Sequence, residues 1–170
     1  PCEIRVDRST DFGNTWVQFK DIDGLSNGCS FPSIAATHGG STVMVAFQYA
    51  FSANGIDVWY SYSTDKGTSW TKGRPLFVYG LEDEKLPVLT VDGGGMTGNN
   101  VEGYFHAICR FSNYVKYRKA HFTDPSNWTD PEIVSERWVG EGLVITTQLR
   151  SGQFYPCVAW TDGRTRDIYY

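Results

Sequence analysis

Four acidic residues could supply the paired carboxyl groups that glycoside hydrolysis requires. Glu82, Asp83 and Glu84 stand together in GLEDEK, and Glu141 holds the corresponding place in a later segment, EGL. Cleavage of a glycosidic bond uses one carboxyl group as the acid and another as the base or nucleophile. An acidic run in a loop is more often a solvated surface. The pattern makes Glu141, Glu84 and Asp83 weak candidates and leaves the catalytic residues open.

Other residues with catalytic or metal-binding chemistry do not form a site at recognisable spacing. Some glycosidases use a Tyr nucleophile with a Glu partner. Glu102 and Tyr104 stand two apart in one strand-like segment, where packing of the Tyr is the better interpretation. His38, His106 and His121 are scattered and lack the spacing of metal ligands. The sequence therefore predicts no metal site and no cofactor.

The four cysteines are Cys2, Cys29, Cys109 and Cys157, and no two of them form a CxxC pair. Cys109 lies in AICRF, at the position that Ala takes in the similar segments VAF and VAW. A small buried thiol is predicted there. A disulfide among Cys2, Cys29 and Cys157 remains an alternative for a chain in an oxidising compartment.

The composition favours a sheet protein and argues against two classes of partner. Aromatic residues make up 15% of the chain, which also contains 18 Gly, and this combination is typical of strands joined by tight turns. The formal net charge is −4 without long runs of one sign, so neither a nucleic-acid nor an anionic-membrane surface is predicted. No apolar stretch approaches the roughly 18 residues that span a bilayer.

An eight-residue turn is written twice, as STDFGNTW at 9–16 and STDKGTSW at 63–70. A short carboxylate there can accept hydrogen bonds from backbone N–H groups, and Gly can take the positive φ of a tight turn. Each copy offers one carboxylate, whereas a hard cation needs six or more oxygen ligands, so a structural joint is favoured. The residues assigned to it are Ser9, Asp11, Gly13, Trp16, Ser63, Asp65, Gly67 and Trp70, with Asp124 and Trp128 in a degraded third copy.

Strand-like segments fill the intervals between these turns. PSIAATHGGSTVMVAFQYA reads as two strands joined by a Gly-Gly turn, DVWYSYS as a third and WTKGRPLFV as a fourth. The same order of strand-like segments recurs in LPVLTVDGGG, VEGYFHAICRF, YVKYRKAHF and DPEIVSE, and then, for three strands, in EGLVITTQL, GQFYPCVAW and DIYY. Four short antiparallel strands per repeat are typical of a β-propeller blade. We predict one all-β domain over 1–170, with about three blades per chain, starting and ending inside a blade.

The octapeptides resemble the Asp-box, or bacterial neuraminidase repeat (BNR), of sialidase-like β-propellers. The segment AWTDGRTRDIYY is similar to the sequence that commonly precedes another Asp-box in secreted bacterial members of this family. The resemblance implies a secreted or extracytoplasmic protein. It also implies that the boxes lie on the outer rim, between the third and fourth strands of a blade, and that function lies at the axial funnel, where the first strands converge.

The resemblance also indicates which positions face a ligand. Similar sialidases hold the substrate carboxylate with three arginines, the first in an Arg-Ile-Pro segment that opens a first strand. The matching segments here are SFP, KLP and EGL, so Ser30, Lys85 and Glu141 occupy the arginine position. Ser and Glu cannot replace the bidentate guanidinium clamp, and Arg110 and Arg150 are the arginines elsewhere that are hardest to dismiss as ligand contacts.

Two functions follow from this departure. The first is a non-catalytic propeller that binds a glycan or a protein at its funnel, with flat faces from aromatics such as Trp59, Tyr60, Trp138 and Tyr155. The alternative is a glycoside hydrolase that pairs Glu141 with an acid from Glu82–Glu84.

Closure of the ring predicts a partner. Three blades cannot close a ring, since propellers have roughly four to eight, whereas two copies would make six. We therefore expect a homodimer in which EIRV of one chain and DIYY of the other compete for one strand position or pair side by side. The rival expectation is that the chain is a fragment of a longer single-chain propeller.

Overall fold

The computed structural model describes residues 3–19, 22, 25, 28–51, 55–93, 96–97, 100–101, 103–135 and 137–170. Among them the regular elements are all β-strands, and no described segment is a helix long and apolar enough to cross a membrane. Two residues considered above, Cys2 and Glu102, lie outside the described part of the chain.

The described residues contain fifteen strands, most of which lie in segments that the sequence predicts. Their bounds are β1 Val6–Arg8, β2 Val17–Phe19, β3 Cys29–Ala36, β4 Val43–Phe51, β5 Gly55–Ser63, β6 Arg74–Phe77, β7 Glu84–Val91, β8 Met96–Thr97, β9 Asn100–Val101, β10 Tyr104–Phe111, β11 Tyr114–His121, β12 Glu132–Ser135, β13 Val139–Arg150, β14 Gln153–Asp162 and β15 Ile168–Tyr169.

The strands form antiparallel sheets in which chain neighbours pair. Strands β3, β4, β5 and β6 make the first four-stranded sheet, and β7, β10, β11 and β12 make the second. A three-stranded sheet contains β13, β14 and β15, and two short two-stranded sheets contain β1 with β2 and β8 with β9. The all-β antiparallel prediction is confirmed.

The sheets pack face to face in chain order, with an apolar layer at each junction. Met44, Tyr60 and Phe77 of the first four-stranded sheet meet Phe105 and Cys109 of the second in the first core cluster. A second cluster joins the segment before β1 to the other face of the first four-stranded sheet. A third lies between the second four-stranded sheet and the three-stranded sheet. Each of the two four-stranded sheets thus has buried side chains on both of its faces.

The first strands of successive sheets lie side by side. Strand β7 contacts β3 on one side and β13 on the other. The backbone N–H of Leu89 donates to Ser33 Oγ at 2.9 Å, and Thr147 Oγ1 donates to the carbonyl oxygen of Val91 at 3.4 Å. These contacts cross between sheets, so the first strands of the three sheets lie next to one another.

Candidate functional site

The starts of the three first strands lie along one edge of the structure, which we call the strand-start edge and define by Ser30, Lys85 and Glu141. Gln48 lies directly opposite Ser30 in the sheet, and its Oε1 accepts a hydrogen bond from Leu86 N at 2.9 Å. This contact brings Ser30 and Lys85 to neighbouring positions. Glu141 lies near the start of β13, which contacts β7, and its side chain is exposed.

A bulge shapes this edge in each sheet. The pairing register shifts between Ser30 and Ser33 in β3, and again opposite β7 between Ile108 and Arg110. Phe31 and Leu86 take positive φ, at 50° and 54°, and each precedes a Pro. Positive φ is costly for a bulky residue and persists only where its surroundings enforce it. Bulges often redirect side chains next to binding sites.

Lys85 does not stand as a free positive charge. Its Nζ lies 2.6 Å from Asp83 Oδ2, with both side chains partly exposed. Asp83 Oδ1 also accepts a hydrogen bond from Ile56 N at 2.9 Å, and these two contacts hold the pKa of Asp83 below its usual value. Arg110 pairs with Lys85 across the sheet, whereas Arg150 lies at the far end of β13, away from the edge. The strand-start edge therefore presents a hydrogen-bond donor, Lys85, and an acceptor, Asp83, that already form an ion pair with each other.

Glu84 differs sharply from its acidic neighbours because it is buried. Its side chain is 0% exposed, and neither carboxylate oxygen has a hydrogen-bond partner among the described residues. Lys116 Nζ lies 4.0 Å from Glu84 Oε1. Burial raises the pKa of Glu84 to about 7, Lys116 opposes this shift, and the carboxylate of Asp57 adds to it. Of the three acidic candidates, Glu84 has the pKa of an acid catalyst but no access to a substrate.

Asp57 and Lys116 complete this buried cluster, and neither residue stands out in the sequence. Burial raises the pKa of Asp57 and lowers that of Lys116. Neither Asp57 Oδ1 nor either Glu84 oxygen has a hydrogen-bond partner of standard geometry among the described residues, although the carboxyl group of Asp57 and the backbone of Tyr79 both act on the pKa of Glu84. One sequence signal could have revealed Asp57. The third-strand segments EIRV, DVWY and DIYY each begin with an acidic residue.

The octapeptides form matching hydrogen-bonded turns. Asp65 Oδ1 accepts from Thr68 N at 3.0 Å and Ser69 N at 2.8 Å, and Oδ2 accepts from Ser69 Oγ at 2.6 Å. Ser63 Oγ donates to Asp65 Oδ1 at 2.7 Å and accepts from Gly67 N at 2.8 Å.

The same contacts return in the first octapeptide. Asp11 accepts from Thr15 N at 2.8 Å, from Thr15 Oγ1 at 2.6 Å and from Ser9 Oγ at 2.7 Å. These donors lower the pKa of Asp11 to about 2. Gly13 has φ of 88° and Gly67 of 83°. Both carboxylates are thus used by the turn itself, each between the two strands of a hairpin.

The degraded third copy keeps a turn but changes its bonding. Ser126 Oγ donates to Asp124 Oδ1 at 2.8 Å, and Asn127 N donates to the carbonyl oxygen of Asp124 at 3.1 Å. His121 replaces the first Ser, and its Nδ1 lies 2.7 Å from Thr123 Oγ1. Trp128 packs edge-on against Tyr60, with ring centroids 5.6 Å apart.

The predicted aromatic faces separate into exposed and buried groups. Tyr60 is 2% exposed within the first core cluster, so the suggestion that it stacks on a sugar is wrong. Trp59 packs against the second core cluster. Trp138 is 43% exposed and immediately precedes β13 at the strand-start edge, with Arg164 4.0 Å above its ring. Tyr155 pairs with Gln148 toward the opposite end of β13.

The histidines and cysteines add no metal or redox centre in the described part of the chain. His106 is buried and joins Tyr117 Oη, 2.7 Å from its Nδ1, to Asp92 Oδ2, 3.3 Å from its Nε2. No group of three metal-binding side chains occurs among the described residues. Cys109 is a buried free thiol and Cys157 an exposed one, and Cys29 is also buried.

No family model and no curated protein matches this chain.

Proposed function

We propose that this chain is part of an Asp-box β-propeller that binds a glycan at the strand-start edge without cleaving it. Support comes first from the sheet order, in which consecutive antiparallel sheets place their first strands side by side. The octapeptide turns stand between β1 and β2 and between β5 and β6, the last two strands of the first four-stranded sheet.

The ion pair of Asp83 with Lys85 is the observation that carries the choice of binding over hydrolysis. With its oxygens committed to Lys85 and to Ile56 N, Asp83 is poorly placed to act on a glycosidic bond. Glu84 is sealed from solvent, which leaves the exposed Glu82 as the acid of this loop that a hydrolase would have to pair with Glu141. A hydrolase needs two such groups about 5–9.5 Å apart across a cleft.

The same ion pair indicates the kind of sugar. Each charge already has its counter-charge, so the edge offers little net attraction for the carboxylate of an acidic sugar. Lys85 can still donate, and Asp83 accept, hydrogen bonds with the hydroxyl groups of a neutral sugar. Trp138 provides an exposed apolar ring at the same edge. A neutral glycan is therefore the ligand class that we propose.

A glycan array followed by calorimetric titration tests this function. Wild type is expected to bind neutral oligosaccharides, and Lys85→Met is expected to weaken binding about tenfold or more, the loss of one charge-assisted hydrogen bond. Lys72→Met, which removes an exposed lysine in the segment before β6, serves as the matched control and should bind normally. Turnover of aryl glycosides that Glu141→Gln abolishes would instead establish the hydrolase.

We further propose that a second copy completes the ring. The β1–β2 sheet carries the strands on either side of an octapeptide turn, and the three-stranded sheet carries the three strands before such a turn, so the two sheets together supply the strands of one blade, with β1 and β15 at the same position of the repeat. Both leave apolar side chains exposed, with Trp16 and Val17 on one and Val144 and Ile168 on the other. An isologous pair would cover both surfaces.

Light scattering measures this association directly. The purified chain is expected to have twice the 19.1 kDa mass of a single chain, falling toward one chain on dilution. A folded chain that stays at 19.1 kDa at high concentration would contradict the two-copy ring. Aggregation of the isolated chain would favour a longer parent protein that supplies the missing strands itself.

A further inference from the structure

Glu84 occupies a place where an ionised carboxylate is poorly supported. Its nearest positive charge, Lys116 Nζ, is 4.0 Å away and is itself held over the rings of Phe111 and Tyr79, at 3.1 and 3.9 Å from their centroids. Attraction across such a distance offsets only part of the cost of removing a carboxylate from water. The missing hydrogen bonds leave the rest of that cost in place.

The net charge of the buried cluster depends on whether Glu84 is protonated. The titratable groups whose charge acts on Glu84 or on its buried neighbours are Asp57 on β5, Cys109 on β10, Lys116 on β11, and Tyr79, Glu82 and Asp83 in the segment before β7. Burial raises the pKa of the Cys109 thiol, which is therefore neutral, and Asp83 is paired with Lys85. With Glu84 protonated, Asp57 and Lys116 balance each other. With Glu84 ionised, the buried cluster carries a net negative charge.

We propose that the proton on Glu84 is a latch between the two four-stranded sheets, closed while Glu84 is neutral and loosened when Glu84 ionises. The chain on either side of Glu84 fastens these sheets together. Asp83 Oδ1 accepts from Ile56 N of β5, and Leu86 N donates to Gln48 Oε1 of β4. An ionised Glu84 gains free energy by moving toward water, and this movement pulls on both hydrogen bonds.

The direction of the pH dependence follows from which state, folded or unfolded, binds the Glu84 proton more tightly. Burial raises the pKa of Glu84 from 4.5 in the unfolded chain to about 7 in the folded one. The folded state therefore holds more protons between these values, and the stability from this group is lost as the pH rises from 4.5 to about 7. The latch is closed in mildly acidic solution and open in alkaline solution.

Backbone amide exchange of Ile56 and Leu86 tests the latch without any ligand. In wild type, the protection factors of both amides are expected to fall about tenfold or more between roughly pH 5.5 and 8.5, with a midpoint near the pKa of Glu84. Glu84→Gln places a neutral amide where the protonated carboxyl group stood, and it should keep the protection seen at low pH throughout. Glu82→Gln removes an exposed carboxylate two residues away and should retain the wild-type profile.

Two results would overturn the latch. One is a pH profile in Glu84→Gln that equals that of wild type, and the other is constant protection in wild type. If Glu84→Gln does not fold, a carbon NMR titration of Glu84 in wild type decides: a midpoint above about 6 supports the latch, and a lower midpoint overturns it. Opening would also disorder Asp83 and Lys85 and weaken ligand binding, a consequence that rests on the proposed function, whereas exchange is read without ligand, so the two proposals fail separately.

Discussion

Replacing Gly103 by Ala is expected to lower the free energy of unfolding by about 3 kcal/mol, the upper end of the range for overpacking, because the added methyl group has no room. Its Cβ would stand 2.0 Å from Phe122 Cε2, 2.5 Å from Phe122 Cζ and 2.8 Å from Asp92 Oδ1. Phe122 is 8% exposed within the first core cluster, and its backbone N–H donates to the carbonyl oxygen of Gly103 at 3.0 Å. That hydrogen bond holds the two backbones together, so the ring has to leave its packed position.

Urea denaturation of a double-mutant cycle separates this clash from a general effect on the strand. Phe122→Val removes the ring that the new methyl group meets and costs stability by itself. In that background Gly103→Ala should cost less than about 1 kcal/mol, which would be a coupling of at least 2 kcal/mol between neighbours. Additive losses in the cycle would show that the Phe122 contact is not the cause.

Most of the strands could be predicted from the sequence because their apolar segments and turn residues agree. The Gly-Gly turn in THGG and the two octapeptides mark places where a positive φ is needed, and Gly39, Gly40, Gly13 and Gly67 all have it. The bulges at Phe31 and Leu86 could not be predicted in this way. A bulky side chain is a poor local candidate for positive φ, so contacts between sheets must impose that conformation.

The candidate site could be predicted only in part for a related reason. The repeat pattern brings Ser30, Lys85 and Glu141 to equivalent strand positions, but it does not reveal what each side chain meets. Glu82 and Glu84 are both acidic residues of one short run, yet one is exposed and the other is completely buried. The difference arises because Glu84 enters β7 and turns toward β5, a strand that is distant in sequence.

The two octapeptide tryptophans also show that local sequence does not determine burial, because the sequences around them are nearly identical. Trp16 is 64% exposed, whereas Trp70 packs against the second core cluster. A Cβ on Gly67 would lie 3.8 Å from Trp70 Cζ2, while a Cβ on Gly13 would have nothing within 4 Å. Local sequence sets the turn, but a neighbouring sheet is needed to hold the Trp over it.

Trp70→Ala is therefore expected to cost about 2–4 kcal/mol of unfolding free energy, somewhat below the range for a fully buried Trp. The substitution removes the contact with the second core cluster and the hydrogen bond from Trp70 Nε1 to the carbonyl oxygen of Gly67, 3.1 Å long. Trp16→Ala is the matched control at the equivalent position. In dilute protein, as single chains, it should change stability by less than about 0.5 kcal/mol, as exposed substitutions usually do.

Chemical denaturation of Trp16→Ala and Trp70→Ala at low and high protein concentration tests the two-copy ring as well as the octapeptide turn. If a second copy covers the β1–β2 sheet, Trp16 becomes buried on association, and Trp16→Ala should then lower the dimer's stability while leaving the single chain unchanged. Trp70→Ala should destabilise the protein at both concentrations, because its contacts lie within one chain. Equal losses from both variants in dilute protein would contradict the exposure of Trp16, and no loss from Trp70→Ala would contradict its part in the second core cluster.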